Sequence, residues 1–252
     1  MSDWIDFTGK IALVTGSSRG IGAGMVEAFN RFGARCVVNY VGDPQGRNEA
    51  DAQRVAAGLK DPVVIECDVS NPASIAAMFD RVQRELGRLD ILINNAGIIR
   101  DQTIKKISAE DWNTVLNVNL SGTFHCIQHA SPMLRPGGRV VNLASVAGSL
   151  GLFGQAGYAS SKAAIMALTR VAARELARQR VTVNAIAPGF IDTDMTRSMP
   201  EEVAKKFLDQ LPAGRIGKID DVVDAALFLC SPHADYITGQ VLHVNGGFHM
   251  AG

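Results

Sequence analysis

Ile11-Ala12-Leu13-Val14-Thr15-Gly16-Ser17-Ser18-Arg19-Gly20-Ile21-Gly22 is the stretch whose reading decides the fold. Four apolar residues in a row read as a strand covered on both faces. A glycine-rich turn follows directly, and a helical pattern then runs to about Phe32, with Gly33 as its stop. Glycines let the backbone turn sharply and let a pyrophosphate approach the helix N-terminus, where free N–H groups and the helix dipole favour anions. The spacing is Gly-x3-Gly-x-Gly, not the Gly-x-Gly-x-x-Gly of the common dinucleotide fingerprint. By itself the turn is a weak signal. Its place as the first strand-to-helix turn gives it weight.

Outward from this turn, short apolar runs alternate with longer helix-period segments. Cys36–Val38, Val63–Ile65, Ile91–Ile93, Val140–Leu143, Val181–Val183 and Val241–Val244 read as further strands. Helical patterns cover Ser74–Leu86, Glu110–Leu134, Tyr158–Gln179 and Asp220–Cys230. This alternation predicts an α/β chain: a doubly wound (Rossmann) parallel sheet of about seven strands with helices on both faces. No linker, repeat or low-complexity tract divides it, so residues 1–252 read as a single domain. Thr193–Pro212, turn-prone and amphipathic after a strand end, is a candidate lid, and an ordinary surface helix pair is the competing reading.

The chain is 47% hydrophobic and 20% charged, with 25 basic and 25 acidic residues. That balance argues against nucleic acid or an anionic membrane as a global partner. The first six residues carry acids where a signal peptide would carry bases, and no long apolar run follows. Cys36, Cys67, Cys126 and Cys230 are scattered without metal-like pairing, and the first two fall in strand-like runs, as buried thiols would. Together these features point to the cytoplasm. His125 and His129 share a helical i, i+4 spacing with no Glu between them and no third ligand nearby, so no metal site is expected.

The end of the second strand reads Val38-Asn39-Tyr40, with no acid to meet the 2′-OH of an NAD ribose. Arg19, inside the glycine loop, can face a 2′-phosphate. Both features favour NADP(H), against the alternatives that Arg19 is merely solvated or that Asp43 takes the acid's part. Cys67-Asp68-Val69 and Asn94-Asn95-Ala96-Gly97 follow the third and fourth strands, on the side where α/β sheets bind ligands.

Tyr158 and Lys162 lie four apart on a predicted helix, hence on one face. A neighbouring ammonium lowers a phenol's pKa from about 10 toward neutrality. The product is an acid/base able to pass a proton to a carbonyl oxygen or take one from an alcohol. Ser145 lies thirteen positions before the tyrosine.

These motifs, with Asn119 and Pro188-Gly189, resemble the short-chain dehydrogenases/reductases over essentially the whole chain. Within that family the sequence is similar to the 3-oxoacyl-acyl-carrier-protein reductases and acetoacetyl-CoA reductases. The phrases that carry this are Asn95–Asp101, Phe153–Tyr158, Pro188–Thr196 and His243–Gly247. The resemblance implies reduction of a 3-oxoacyl thioester, with another ketone (sugar, quinone or polycyclic) and a non-catalytic dinucleotide-binding protein as rival readings. It implies Tyr158 as general acid, Lys162 lowering its pKa and holding the nicotinamide ribose, and Ser145 donating to the substrate carbonyl. Asn119 would hold a water linking Lys162 to solvent. Gly16, Ser18, Arg19, Gly20, Ile21, Gly22, Asn39, Ala96 and Gly97 would line the cofactor, with Asp68, Val69 and Asn95 at adenosine. Beyond Pro188 and Gly189, Ile191 and Thr193 would grip the carboxamide. Ser145, Gln155 and Tyr158 would meet substrate. The family also implies a homotetramer, built on the helices at Glu110–Leu134 and Tyr158–Gln179 and on the last strand. Gly157 stands where members commonly carry Asn, a departure expected to loosen the substrate loop. Acidic acyl carrier protein would dock on arginines at the active-site mouth, with Arg135, Arg139, Arg174, Arg178 and Arg180 as candidates and CoA as the alternative carrier.

Overall fold

The strands β1 (Ile11–Val14), β2 (Arg35–Tyr40), β3 (Val63–Glu66), β4 (Leu89–Asn94), β5 (Leu134–Leu143), β6 (Thr182–Pro188) and β7 (Val241–Val244) pair in parallel as one sheet. Their order is β3-β2-β1-β4-β5-β6-β7, so the chain winds outward from β1, returns to β4 at its other side and continues away. The crevice for a ligand in such a sheet lies where the winding reverses, beyond the C-terminal ends of β1 and β4. The computed structural model describes residues 5–197, 202 and 208–250.

The apolar runs are continuous because two layers of helices need covering. Ala12 and Val14 of β1 pack into a core with Met25, Val26 and Phe29 of α1 (Gly20–Arg31) and Val222, Val223 and Ala226 of the later helix Ile219–Cys230. Ile11 and Leu13 point the other way, into a core with Ile75, Met78 and Phe79 of α3 (Pro72–Leu86) and Ala172, Ala173 and Leu176 of the helix Ala156–Leu176. Each fully buried side chain of this kind stabilises by roughly 1.5–3 kcal/mol. Between α1 and α3 comes α2 (Arg47–Ala57). α3 begins two residues before the expected Ser74. Asn71 caps it by accepting from the N–H groups of Ala73 and Ser74 at 2.9 and 3.4 Å, and Pro72 supplies a first turn that lacks its own N–H.

The segment expected as one helix from Glu110 to Leu134 is broken three ways. α4 (Ala109–Leu116) is capped by Ser108, whose Oγ accepts from Asp111 N at 2.9 Å. A π-helical turn, Asn117–Ser121, follows, and then α5 (Gly122–Ala130). Pro132 cannot continue a helix, and Leu134 already belongs to β5, paired with Leu89. The short α6 (Ala147–Leu150) leads to α7 (Ala156–Leu176), which a 3-10 turn extends through Gln179. After β6 come α8 (Asp194–Arg197) and α9 (Ile219–Cys230). Nine of the twenty residues of the candidate lid, 198–201 and 203–207, fall outside the described residues. All four cysteines are free and buried, and burial pushes the Cys36 and Cys230 thiols up to about 12. Among the described residues no helix is long and apolar enough to cross a membrane.

Candidate active site

The glycine loop is held down by its neighbours' side chains. Ser17 Oγ donates to Val14 O at 2.8 Å and accepts from Asn39 N at 2.9 Å. Gly16, at φ +63°, lies so close to the loop after β4 that a Cβ would stand 2.9 Å from the Ala96 Cα. A Cβ on Gly22 would stand 2.5 Å from both Asn95 Nδ2 and Gly16 O, so only glycine fits. The loops are also stitched directly: Thr15 Oγ1 accepts from the N–H groups of Asn95 and Ala96, both at 3.0 Å. α1 then opens with no acidic residue in its first turn and no side-chain cap on its N–H groups. Its N-terminus therefore suits an anion, and the absent Cβ atoms leave room for one against the backbone.

Two asparagines expected at the cofactor are turned inward. Asn39 is fully buried: its Oδ1 accepts from Gly16 N at 2.8 Å, and its Nδ2 faces the carbonyls of Tyr40, Ile65 and Cys67, each at 3.3 Å. Asn95 Nδ2 donates to Thr15 O at 2.9 Å and Gly16 O at 3.0 Å. Both amides shape the loop, Asn39 through its oxygen and its nitrogen and Asn95 through its nitrogen. Asp43, the alternative acid, accepts from the backbone of Asn48 at 2.7 Å and Arg47 at 3.2 Å, which holds its carboxyl below the usual range. Arg19 reaches over to α2, where it donates to Asn48 and pairs with Asp51 at 3.4 Å.

Asp68 accepts from Ser70 N and Oγ at 2.8 and 2.7 Å, and Val69 is buried with its carbonyl against Gly122. At the end of β6, Gly189 N donates to Val244 O at 2.9 Å, and a Cβ there would stand 2.7 Å from that of Asn245. The hydroxyls of Thr193 and Thr196 lie 3.1 Å apart, and the latter donates to Ile191 O.

β5 and α7 bring the reactive groups together. Ser145 lies just past β5, and its Oγ accepts from Ala147 N at 3.2 Å. Tyr158 and Lys162 share a face of α7, the ammonium 5.6 Å from the centre of the phenol ring. Lys162 is almost wholly buried and donates to Leu143 O at 2.6 Å. Burial depresses its pKa to about 8, so near neutral pH it remains charged.

On balance the phenol's pKa is raised, where the spacing of Tyr158 and Lys162 alone would predict a lowered one. Burial raises Tyr158; Ser145 offsets part of the shift, and the charge of Asp101 adds to it. The Lys162 ammonium directs a hydrogen bond to Leu143 O and keeps two further N–H donors. The expectation for Asn119 is corrected in part. Its buried side chain accepts from Ile98 N at 2.8 Å and donates to Ile98 O at 3.0 Å and Ser161 Oγ at 3.1 Å. It fixes the loop after β4 rather than offering a free amide to a water. A Cβ on Gly97 would stand 3.3 Å from Asn119 Oδ1 and 3.5 Å from Lys162 Nζ, so all three groups converge.

Asp101 is a site residue that motif reading missed. It accepts from Gln155 Nε2 at 3.0 Å, while Gln102 N donates to Gly154 O at 2.8 Å, tying the two loops beside Tyr158 together. Its only sequence signal is its place in the Asn95–Asp101 phrase. Gly157 lies in the first turn of α7, not in a loop, and is packed under Trp112 and Val115. The candidate docking arginines are misplaced within this chain. Arg135 and Arg139 lie on the N-terminal side of β5, Arg180 O accepts from Gly137 N at 2.9 Å, and Arg139 is buried against Asp235. Arg174 is sixteen residues along α7 from Tyr158, about 24 Å at 1.5 Å per residue. They cluster at the opposite end of the sheet from the phenol.

A dinucleotide cradle facing a phenol, a hydroxyl and a buried ammonium defines an oxidoreductase, with a nicotinamide dinucleotide as its cofactor. The comparisons agree. A family model described as enoyl-(acyl carrier protein) reductase matches residues 16–249. The 3-oxoacyl-[acyl-carrier-protein] reductase of Staphylococcus aureus is 43% identical over 243 residues, covering 96% of this chain and 98% of that protein. The Escherichia coli K12 protein of the same name is 40% identical over 248 residues, covering 98% and 100%. A Brucella melitensis short-chain dehydrogenase/reductase, titled glucose/ribitol dehydrogenase, superposes with a TM-score of 0.92 at 31% identity, covering 98% of this chain and 99% of that one. This chain belongs to the short-chain dehydrogenase/reductase family.

Proposed function

We propose that this protein reduces 3-oxoacyl thioesters to 3-hydroxyacyl thioesters with NADPH. The observation that carries this reading is geometric: the Tyr158 phenol stands on one face of α7 with the Lys162 ammonium 5.6 Å from its ring centre, beside the loops at the C-terminal ends of β4 and β5, where an acid can hand its proton to a carbonyl oxygen. A bound nicotinamide supplies the hydride that goes to C3 of the substrate. Tyr158 donates its proton to the former carbonyl oxygen, and Ser145 donates a hydrogen bond to that oxygen as charge develops on it. Lys162, charged and rigidly held by Leu143 O, places positive potential beneath the phenol and stabilises it as the proton leaves. Gln155 gives its amide N–H to Asp101, and its Oε1 is buried without a partner among the described residues, leaving an acceptor for a donor on the substrate.

The substrate class follows the two curated relatives, whose names give it. NADPH follows from Arg19 beyond β2 and from the engagement of Asp43 in the cap of α2. Cytoplasmic residence is consistent with four free, buried thiols. Assembly as a homotetramer is supported by the half-exposed Phe124 of α5 and Val171 of α7, and by β7, an edge strand with Leu242 outward.

The test is oxidation of NADPH by acetoacetyl-CoA, and separately by acetoacetyl-acyl carrier protein, with wild-type protein and Tyr158→Phe. The substitution keeps the ring and removes the transferable proton, so turnover should fall by about 100-fold or more while cofactor binding holds. No turnover with either wild-type substrate, or a variant that keeps most of its rate, refutes the reading.

A further inference from the structure

Arg19 ends against a neighbouring helix and not in open solvent. Its Nη2 donates to Asn48 Oδ1 and stands 3.4 Å from Asp51 Oδ2. The other oxygen of that carboxylate holds Arg54 Nη1 at 2.8 Å. Asn48 is itself fixed, its Nδ2 donating to Val41 O at 2.9 Å. The guanidinium thus spans from the glycine loop to the first turns of α2, across the ground just beyond β2 where such folds place the adenosine ribose.

Two features make the Arg19–Asp51 pair exchangeable. The Arg19 side chain is about half exposed, at 52%, so water screens the pair. Asp51 also keeps a closer cation in Arg54, so its charge stays paired when Arg19 swings away. A phosphomonoester is the stronger partner for a guanidinium, because it carries nearly two charges and matches the planar fork. Once Arg19 has moved, however, the Asp51 carboxylate remains nearby and repels that phosphate.

We infer that Asp51 is a specificity-determining residue that competes with the cofactor's 2′-phosphate for Arg19 and so limits the preference for NADPH over NADH. The inference rests on the reading of NADPH as the preferred cofactor. Asp51→Asn removes the charge and keeps the shape. It should tighten binding of a 2′-phosphorylated nucleotide about three- to tenfold, the scale of one screened charge pair at short range. A nucleotide lacking that phosphate should be unaffected.

Calorimetric titration of the full chain with adenosine 2′,5′-bisphosphate and with adenosine 5′-monophosphate tests this without turnover. The expected result is tighter bisphosphate binding by Asp51→Asn, unchanged monophosphate binding, and a gap that narrows as salt rises. Unchanged or weaker bisphosphate binding by Asp51→Asn overturns the inference. Arg19→Gln separates the two failures. If it weakens the bisphosphate alone, the NADPH reading stands whatever Asp51 does; if it has no effect, that reading falls and takes the inference with it.

Discussion

Replacing Asn39 by Asp puts the two readings of the second strand's end in direct conflict. Were Asn39 facing a ribose, the acid would accept from a 2′-hydroxyl, repel a 2′-phosphate and shift preference toward NADH. The structure predicts something else. Oδ1 of the new side chain keeps the bond from Gly16 N, but the second oxygen replaces an amide that faces three carbonyls at 3.3 Å. A lost buried donor costs roughly 1–3 kcal/mol, and an uncompensated buried charge raises the total to about 3–5 kcal/mol. Protonating the carboxyl restores one donor, so its pKa in the folded state rises above the unfolded value of about 3.9. A group raised in the folded state gives stability that is present below the unfolded pKa and lost as pH rises through the folded one. The Asn39→Asp substitution should therefore weaken the protein more at pH 8 than at pH 5. Urea denaturation at both pH values, at fixed protein concentration, measures it as a fall in midpoint. A variant of unchanged midpoint that switches to NADH would refute the inward placement of Asn39.

The remaining predictions concern charge and assembly. With Lys162 lowered by burial to about 8, the reduction rate should decline as pH rises through that value and the ammonium is lost. A rate at saturating cofactor that stays flat well past it would show that the charge is not needed. Light scattering at micromolar concentration should give a mass near four times the 26.9 kDa of one chain, and Val171→Arg, on a half-exposed face of α7, should reduce it. A wild-type mass near one chain rules the tetramer out.

The fold was legible because its signals are local. Four buried residues in Ile11–Val14 can be read without knowing their neighbours, since a strand between two helical layers needs apolar groups on both faces. The break at Asn117–Ser121 was not legible. Helical periodicity continues through a π turn, and what demands Gly122 is the Val69 carbonyl, 2.7 Å from where a Cβ would stand and more than fifty residues away in the chain. The site divides in the same way. Ser145, Tyr158 and Lys162 were placed by spacing along β5 and α7, elements whose geometry is regular. Asn39, Asn95 and Asn119, expected at the ligands, each bond to neighbouring backbone as well. An asparagine at a strand end offers the same donor and acceptor to a ribose or to a neighbouring backbone, and only burial distinguishes the two.

The tyrosine shows why that distinction reaches the chemistry. Spacing puts an ammonium on the same helix face as the phenol, and a lowered pKa would follow if nothing else acted. Burial acts on both groups, however. It lifts Tyr158 and depresses Lys162, and the lysine's shortest bond goes to Leu143 O, a partner supplied by β5 rather than α7. The phenol therefore retains its proton near neutrality, with Asp101 and Gln155 beside it on loops that no periodicity describes. A reductase needs that state at the start of each turnover, because the proton must be present when the hydride arrives. The state of the phenol is thus set by what surrounds α7, not by the spacing along it alone.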